Sequence, residues 1–213
     1  MHICIEGADG AGKNTQAKIL AHRMRAELYS FPRYNTPIGK LIKRHLVGDV
    51  ALREEHFNDA RRAPEDALMF RCLMAADKLA AAQSMRDLLS NSVVVVCDRW
   101  IPSSLCYGAA DGIDREWLKS LYAALPQADL NIFLDVTLDE TLRRRPEARD
   151  RYERDQEKQL RVREEYKRLW ADEGAPHYVT VDGDGGGSGD GPIFTVAERV
   201  WAAVETYRRK AGE

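Results

Sequence analysis

The distribution of apolar residues along the chain predicts alternating strands and helices. Five short apolar runs have the length of strands, and Val93–Val96 is apolar without alternation, as expected for a strand covered on both faces. The predicted strands are His2–Glu6, Ala26–Phe31, Val93–Cys97, Asp129–Val136 and Tyr178–Val181. Segments with helical spacing separate and follow them: Lys13–Arg25, Thr36–Leu46, Pro64–Leu89, Arg115–Ala124, Leu138–Arg145, Asp150–Trp170 and Phe194–Arg209.

This alternation predicts an α/β fold of βαβ units, with a five-stranded parallel sheet between two layers of helices. A chain of 213 residues is long enough for one domain, so we expect a single domain over 1–213. The glycine-rich stretch 183–191 predicts a flexible loop before the last helix. Sheets of this kind bind ligands beyond the carboxyl ends of their strands, which is where candidate chemistry is to be sought.

Composition and charge exclude some classes of function. Acidic and basic residues nearly cancel, giving a net charge of −2, whereas a nucleic-acid-binding protein would carry an excess of Lys and Arg. No apolar run approaches the ~20 residues needed to cross a membrane. The chain enters its first predicted strand without a charged leader, and its four cysteines form no C-x-x-C pair, so we expect buried structural thiols in a cytoplasmic protein.

The strongest motif follows the first predicted strand and opens the first predicted helix. Its sequence, GADGAGKNT over Gly7–Thr15, matches a Walker A loop (P-loop), in which backbone N–H groups and a lysine bind phosphates. A turn that merely joined a strand to a helix would not need Lys13 at this spacing. The predicted ATP-binding residues are Gly7, Gly10, Ala11, Gly12, Lys13, Asn14 and Thr15. The fold expectation therefore becomes a three-layer α/β/α P-loop NTPase fold.

The position after the lysine departs from the motif. Ser or Thr normally stands there and ligates Mg²⁺, whereas this chain has Asn14. The amide oxygen of Asn14 can ligate a hard cation, or the metal can be held through water and carboxylates, of which Asp98 is the candidate. We therefore expect Mg²⁺ beside the P-loop, with Asn14 and Asp98 as candidate ligands.

Further polar residues lie at the ends of other predicted strands. Asp98 and Arg99 follow the third strand, where the carboxylate suits a metal and the forked guanidinium suits a phosphate, although the two could simply pair with each other. Phe31, Arg33 and Tyr34 end the second strand. Two more candidates, Met74 and Lys78, share one face of the long helix, which a core methionine and a snorkelling lysine would also explain.

Arginines crowd the segment after the fourth predicted strand. They are Arg143, Arg144, Arg145, Arg149 and Arg151. A charge run is usually a solvated face, but this clustering predicts an Arg-rich lid over about 143–153 that closes on ATP. The charged helix beyond it, from Arg154 to Arg168, is expected to be solvated.

Taken in order, these segments resemble the thymidylate kinase family over nearly the whole chain. The matching segments are Ile5–Lys13, Phe31–Pro32, Thr36–Lys40, Leu73–Lys78, Asp98–Trp100 with Ser103, Ser104 and Tyr107, and Arg151–Glu153. The resemblance implies transfer of the ATP γ-phosphate to dTMP, giving dTDP. It also implies a homodimer in which the long helix packs on its twin.

The resemblance also implies roles for individual residues. Asp9 would meet the sugar 3′-hydroxyl or the metal, Lys13 the ATP phosphates, and Arg99 the acceptor phosphate, with Arg33 or Tyr34 clamping the monophosphate. Because position 10 is glycine, the catalytic arginine would come from the lid, as Arg149 or Arg145. Further implied contacts to the substrate are made by Phe31, Ser103, Tyr107, Arg151 and Tyr152.

Two positions depart from the family pattern and leave the base open. Met74 stands where the family has a stacking Phe, and Lys78 stands where it has an Arg that hydrogen-bonds the base. The alternatives are a kinase of another pyrimidine nucleotide, such as dUMP or a 5-substituted dUMP, and a deoxynucleoside kinase. From a different class, a non-catalytic nucleotide-binding regulatory module would be consistent with Asn14, but not with the lid arginines.

Overall fold

The structure is a computed structural model and describes residues 1–48, 63–144, 155–174, 177–185 and 191–212. Its strands are β1 (His2–Glu6), β2 (Glu27–Ser30), β3 (Val95–Asp98), β4 (Leu130–Asp135) and β5 (Tyr178–Asp182). The described helices are α1 (Lys13–Met24), α2 (Pro37–Leu46), α3 (Ala63–Ser90), α4 (Ile101–Ala110), α5 (Arg115–Tyr122), α6 (Leu138–Arg144), α7 (Gln156–Glu173) and α8 (Gly191–Ala211).

The five strands form one parallel sheet in the order β2-β3-β1-β4-β5. The predicted sheet is confirmed in strand number and direction. The strand order reverses on either side of β1, and the loop after β1 opens at this switch point, where α/β sheets bind their ligands. All five residues of β1 are buried. The P-loop follows the central strand, and therefore lies at the middle of the carboxyl edge of the sheet.

Helices cover both faces of the sheet and build separate cores. On one face, α1 and α8 pack against the strands through residues such as Leu20 and Val200. On the other face lie α3, α4, α5 and α7, with Met85, Leu118 and Tyr166 fully buried. This arrangement confirms the three-layer α/β/α class.

One of the described helices was not predicted from the sequence. Helix α4 directly follows the Asp98–Trp100 turn, and most of its residues are buried, including Ile101, Ser104 and Cys106. A helix buried on nearly all sides has no polar stripe, so its apolar spacing shows no period of 3.6 residues. The omission matters because α4 carries Ser103 and Tyr107 into the cleft.

The expectation that the helix after the lid is solvated was wrong for one of its faces. Helix α7 buries Val162, Tyr166, Leu169 and Trp170, which follow one another at intervals of one, three or four residues. Phe133 of β4 stacks on Tyr166 with ring centroids 5.0 Å apart. The numerous charges of α7 occupy its outer face and mask the buried stripe.

Two further expectations are limited by the described range. The predicted lid lies over 143–153, of which residues 145–153 are outside the described residues, and so are 186–190 of the glycine-rich loop. Among the helices that the structure describes, none combines the length and apolar character needed to cross a membrane.

Candidate functional site

The loop between β1 and α1 has a backbone shape suited to anions. Gly10 and Gly12 have φ angles of +81° and +86°, in the left-handed region that glycine adopts without steric cost. Gly12 is the N-cap of α1, and no side chain of the described residues caps the helix there. The first N–H groups of α1 and the positive end of its dipole therefore remain available for a phosphate.

Lys13 opens α1 and folds back into this loop. Its side chain is buried, and its Nζ donates a hydrogen bond of 2.5 Å to the carbonyl oxygen of Ala8. Burial and the nearby charge of Arg99 lower the pKa of Lys13 to about 7. Asp9, Asp98 and Glu6 favour the charged form of Lys13, and a bound phosphate would favour it further.

Arg99 turns back from the end of β3 toward the loop. Its φ of +68° is a left-handed conformation that costs a non-glycine residue about 1–2 kcal/mol. The guanidinium forms an ion pair with Asp9 and donates to the carbonyl of Gly7 at 3.2 Å. It also donates to Ser103 Oγ at 3.3 Å and lies 5.1 Å from the ring centroid of Tyr107. The alternative pairing of Arg99 with Asp98 is not what the structure forms.

Asp9 lies between the two cations. Although burial opposes the charge, Arg99 and Lys13 lower the pKa of the Asp9 carboxyl group below its usual value. The carboxylate also accepts hydrogen bonds from Tyr107 Oη at 2.8 Å and Gln159 Nε2 at 3.0 Å. Asp9 is thus an anion that pairs with Arg99 and interacts electrostatically with Lys13.

The buried carboxylate of Glu6 stabilises the turn that carries Arg99. It accepts hydrogen bonds from the Trp100 N–H at 2.7 Å, from Tyr166 Oη at 2.9 Å and from Ser103 Oγ. Burial raises the pKa of Glu6, although these hydrogen bonds act in the opposite direction. Glu6 is 0% exposed, so we assign it to holding the Arg99 turn rather than to contacting a ligand.

The two candidate metal ligands are neighbours. The side-chain nitrogen of Asn14 donates to Asp98 Oδ2 at 2.9 Å and approaches Ser30 Oγ at 3.5 Å. Asp98 ends β3 beside the P-loop, and Asn14 is on the first turn of α1. This set of hard oxygen donors suits Mg²⁺, and the amide of Asn14 orients the Asp98 carboxylate.

A cavity of about 530 Å³ opens on the side of the loop that carries Asp9. We call it the Arg99 cavity. Its walls come from the β1–α1 loop, the turn after β2, α2, α3 and α4. Residues that line it are Asp9, Pro32, Tyr34, Leu46, Phe70, Arg71, Met74, Lys78, Arg99, Ser103, Ser104 and Tyr107. Six of the predicted substrate contacts therefore meet at one cavity, together with Asp9.

Phe70 and Arg71 were not predicted from the sequence. Phe70 lies one helical turn before Met74, and Arg71 lies two turns before Lys78. The spacing 70, 71, 74, 78 on α3 could therefore have indicated a shared face. Arg71 is 2% exposed and pairs with Asp111 at 2.8 Å. Gln159 and Tyr166 were missed as well, since the charges of α7 concealed its buried face.

Lys78 is an unusual residue to line such a cavity, because its charged side chain is almost completely buried. Its side chain is 1% exposed, and its Nζ lies 5.5 Å from the ring centroid of Phe31 and 5.9 Å from that of Tyr122. Burial lowers the pKa of Lys78 to about 8, although Glu6 and Asp77 favour the charged form. No residue in the described part of the chain forms a hydrogen bond with the Lys78 ammonium, so a ligand acceptor would be its first.

Two of the predicted substrate contacts, Phe31 and Arg33, are not among the residues that line the Arg99 cavity. Phe31 is buried and packs on Trp100, with ring centroids 4.9 Å apart. Arg33 forms an ion pair with Asp77 at 3.1 Å and donates to its carbonyl at 2.6 Å. These contacts fix the turn after β2. Tyr34 projects from that turn and is 44% exposed.

A larger cavity, of about 1000 Å³, opens on the other side of the same loop. We call it the Arg144 cavity. It is lined by Gly10, Ala11, Gly12, Thr15, Gln16, Arg143, Arg144, Pro192, Ile193 and Val196. Arg144 is held by Glu140 at 2.7 Å and by the carbonyl of Gly183 at 2.7 Å. The P-loop therefore forms a common wall between two cavities, and both have arginines.

The remaining predicted site residues lie outside the described residues. These are Arg145 and Arg149, as candidates for the catalytic arginine, and Arg151 and Tyr152, as candidate substrate contacts.

Comparisons with known proteins agree with one another. A model of the thymidylate kinase family matches residues 5–184. The chain is similar to thymidylate kinases from Schizosaccharomyces pombe, at 31% identity with 84% of this chain and 82% of that protein covered. It is also similar to one from Thermomicrobium roseum, at 33% identity with 98% and 96% covered. A solved thymidylate kinase structure from Candida albicans, described as having broad substrate specificity, superposes with a TM-score of 0.78 at 29% identity, covering 97% of this chain and 92% of that one.

Proposed function

The chain belongs to the thymidylate kinase family, and from this premise we propose that its P-loop transfers the γ-phosphoryl group of ATP directly to dTMP. As a member of this family, the chain is an ATP-dependent nucleoside monophosphate kinase. One observation carries the assignment of sites. A single glycine-rich loop, which leads into Lys13, contributes to the walls of two cavities, and each cavity is also lined by arginines.

We assign ATP to the Arg144 cavity and the monophosphate to the Arg99 cavity. Gly10, Gly12 and Thr15 line the first, with the apolar Ile193 beside them as a surface for a base. In the second, Arg99 supplies a forked donor for the acceptor phosphate. That phosphate would exchange with Asp9 at the guanidinium, because both are anions. Asp9 would then be released to accept a hydrogen bond from a sugar hydroxyl.

Catalysis in this arrangement rests on position and charge. Lys13 and Arg99 flank the space in which the phosphoryl group would move, and neither needs to form a covalent bond with it. Asp98, whose carboxylate Asn14 orients, would hold Mg²⁺ beside them, and the ion would neutralise charge on the ATP phosphates. Arginines of the 143–153 segment are proposed to complete the charge neutralisation when that segment closes.

We propose a cytoplasmic homodimer in which the whole chain acts as one domain. Leu68, Met69 and Leu79 of α3 are 38%, 42% and 44% exposed, which is high for large apolar side chains. Met85 of the same helix is fully buried within the chain and is not available for this contact. Sedimentation at twice the chain mass of 24.1 kDa would support the pairing, whereas the single-chain mass would exclude it.

An assay of ATP with a panel of nucleosides and deoxynucleoside monophosphates tests the proposed reaction. We expect ADP and dTDP to form in equal amounts, and only when a monophosphate acceptor is present. If the chain phosphorylates nucleosides but not monophosphates, the acceptor assignment to Arg99 is wrong. If ADP is released at the same rate without any acceptor, the chain is not a kinase of this kind.

The identity of the base depends on α3, and a double substitution tests this. Met74→Phe with Lys78→Arg should raise the preference for dTMP over dCMP by about tenfold, because a guanidinium can donate to the 4-carbonyl of thymine through two donors but meets an amino group at that position of cytosine. The ratio of the two kcat/KM values is the measurement, and the KM for ATP serves as the internal control. An unchanged ratio would remove Met74 and Lys78 from base recognition.

Lys78 also predicts a pH dependence. Since the pKa of this ammonium is lowered to about 8, its charge is largely present at pH 7 and largely lost at pH 9. The KM for dTMP should therefore rise severalfold over this range, with kcat nearly constant. Lys78→Arg keeps its charge throughout and should show a flat profile. Identical profiles for both proteins would mean that the Lys78 charge does not contact the substrate.

A further inference from the structure

A second group of ligand-type side chains lies in the core, away from both cavities. His2 and Cys4 belong to β1, and Cys97 belongs to the neighbouring strand β3. Cys4 and Cys97 are register partners, and His2 shares their face of the sheet because it is two residues from Cys4. All three are at most 1% exposed. Within the described ranges, this is the one group of three His, Cys, Asp or Glu residues whose ligand atoms all lie within 4.8 Å of one another.

The imidazole of His2 is oriented as a metal ligand would be. Its Nδ1 lies 3.2 Å from the carbonyl oxygen of Gln127, which can only accept, so Nδ1 carries the proton. The lone pair of Nε2 then points to the two sulfurs, at 3.3 Å from Cys97 Sγ and 3.5 Å from Cys4 Sγ. Histidine ligands in metal sites commonly donate their second N–H to a carbonyl in this way.

The separations agree with coordination geometry. An ion bonded at ~2.3 Å to sulfur and ~2.0 Å to nitrogen holds the nitrogen about 3.3–3.7 Å from each sulfur, and the two sulfurs about 3.5–4.0 Å from each other, for bond angles of about 100–120°. Both nitrogen–sulfur distances, 3.3 Å and 3.5 Å, fall in this range, and the two sulfurs lie within 4.8 Å of each other.

We propose that His2, Cys4 and Cys97 form a binding site for a soft, three-coordinate cation, namely Cu⁺. Two sulfurs and an imidazole are soft donors, which favour Cu⁺ over Mg²⁺. Trp100 covers the group, with its ring centroid 5.8 Å from that of His2, and the surrounding cluster is apolar. Zn²⁺ prefers four ligands, and the described residues supply three.

Binding would involve no oxidation or reduction. Each S–H bond that is exchanged for an S–Cu bond releases one proton to solvent, and copper stays monovalent. Since the ligands are fully buried, the ion must enter through local opening of β1 and β3, so loading should be slow. Cys97 directly precedes Asp98 and Arg99, so a bound ion would lie just behind the cleft.

The test uses the full chain, reduced and kept free of oxygen. It is incubated with Cu⁺ in the presence of a coloured Cu⁺ chelator, desalted, and weighed by native mass spectrometry. We expect one copper ion per chain to be retained, and Zn²⁺ not to be retained under the same conditions. Cys97→Ser should abolish retention. Cys106→Ser, which removes a buried thiol outside the group, and Cys72→Ser, which removes the exposed thiol, should both retain the ion.

Because Cys97→Ser could disturb the sheet, the wild-type chain provides an independent readout. X-ray absorption on the copper-loaded protein should show two sulfur neighbours and one nitrogen neighbour. The proposal is overturned if no copper is retained, if Cys97→Ser retains it, if Cys72→Ser loses it, or if Zn²⁺ is retained in its place. A Cys4–Cys97 disulfide without metal would also overturn it. None of these results bears on phosphorylation of dTMP.

Discussion

Arg99→Leu is expected to lower kcat/KM for dTMP by at least about 10³-fold, while the affinity for ATP changes little. The guanidinium is the group in the Arg99 cavity best shaped for a phosphate, and arginines that stabilise a transferring phosphoryl group are worth about 10³–10⁵ in rate. Its loss also leaves the Asp9 carboxylate unpaired, so the cavity would repel the acceptor. Initial rates against dTMP, with ATP binding measured by calorimetry, provide the comparison.

The effect of Arg99→Leu must be separated from a loss of stability. Removing one partner of a buried ion pair costs up to about 3–5 kcal/mol, and the Arg99–Asp9 pair is partly exposed, so we expect less. Arg115→Leu is a matched control, since it breaks another partly buried pair, with Glu165, outside both cavities. Arg99→Lys should give an intermediate rate. A folded Arg99→Leu protein with normal dTMP kinetics would contradict the acceptor assignment.

Lys13→Met is expected to lower kcat by about 10²–10³-fold, with a smaller effect on the affinity for ATP. The backbone amides of the loop remain in this variant and continue to bind phosphate, whereas the charge that follows the moving phosphoryl group is lost. Single-turnover rates measure this step directly.

Lys18→Met is the matched control, because Lys18 is exposed on the same helix and should leave the rate unchanged. A Lys13→Met protein that binds ATP normally and turns over at the wild-type rate would remove Lys13 from the transfer step.

The strands and the P-loop could be predicted from the sequence because both are encoded locally. Continuous apolar runs such as Val93–Cys97 match buried parallel strands, and the spacing of Gly7, Gly12 and Lys13 follows from the shape of a phosphate. The residues that follow β2 and β3 could be placed at the same edge of the sheet as the P-loop, because the carboxyl ends of parallel strands share one edge. The loops that follow the strands supply Asp9, Pro32, Tyr34 and Arg99 to the Arg99 cavity, whereas its other lining residues come from helices.

The parts that were missed depend on contacts distant in sequence. Helix α4 is buried nearly all round, so no periodic pattern marks it, and α7 hides Gln159 and Tyr166 behind its charges. That Arg99 would turn to Asp9 rather than to Asp98 depends on its positive φ, for which the sequence carries no sign. Phe70 and Arg71 could have been placed on the same face of α3 as Met74 and Lys78 by their spacing, but that this face lines the cavity depends on how α3 packs against the other helices.

The most direct test of the central claim uses a single molecule that joins adenosine and thymidine through a chain of phosphates long enough to occupy both cavities. If the two nucleotides meet across the loop that carries Lys13, this compound should compete with ATP and with dTMP, and should bind more tightly than either, because one binding event fills both sites. Competition with only one of the two nucleotides, at an affinity no better than that nucleotide's own, would mean that the two cavities do not open toward each other.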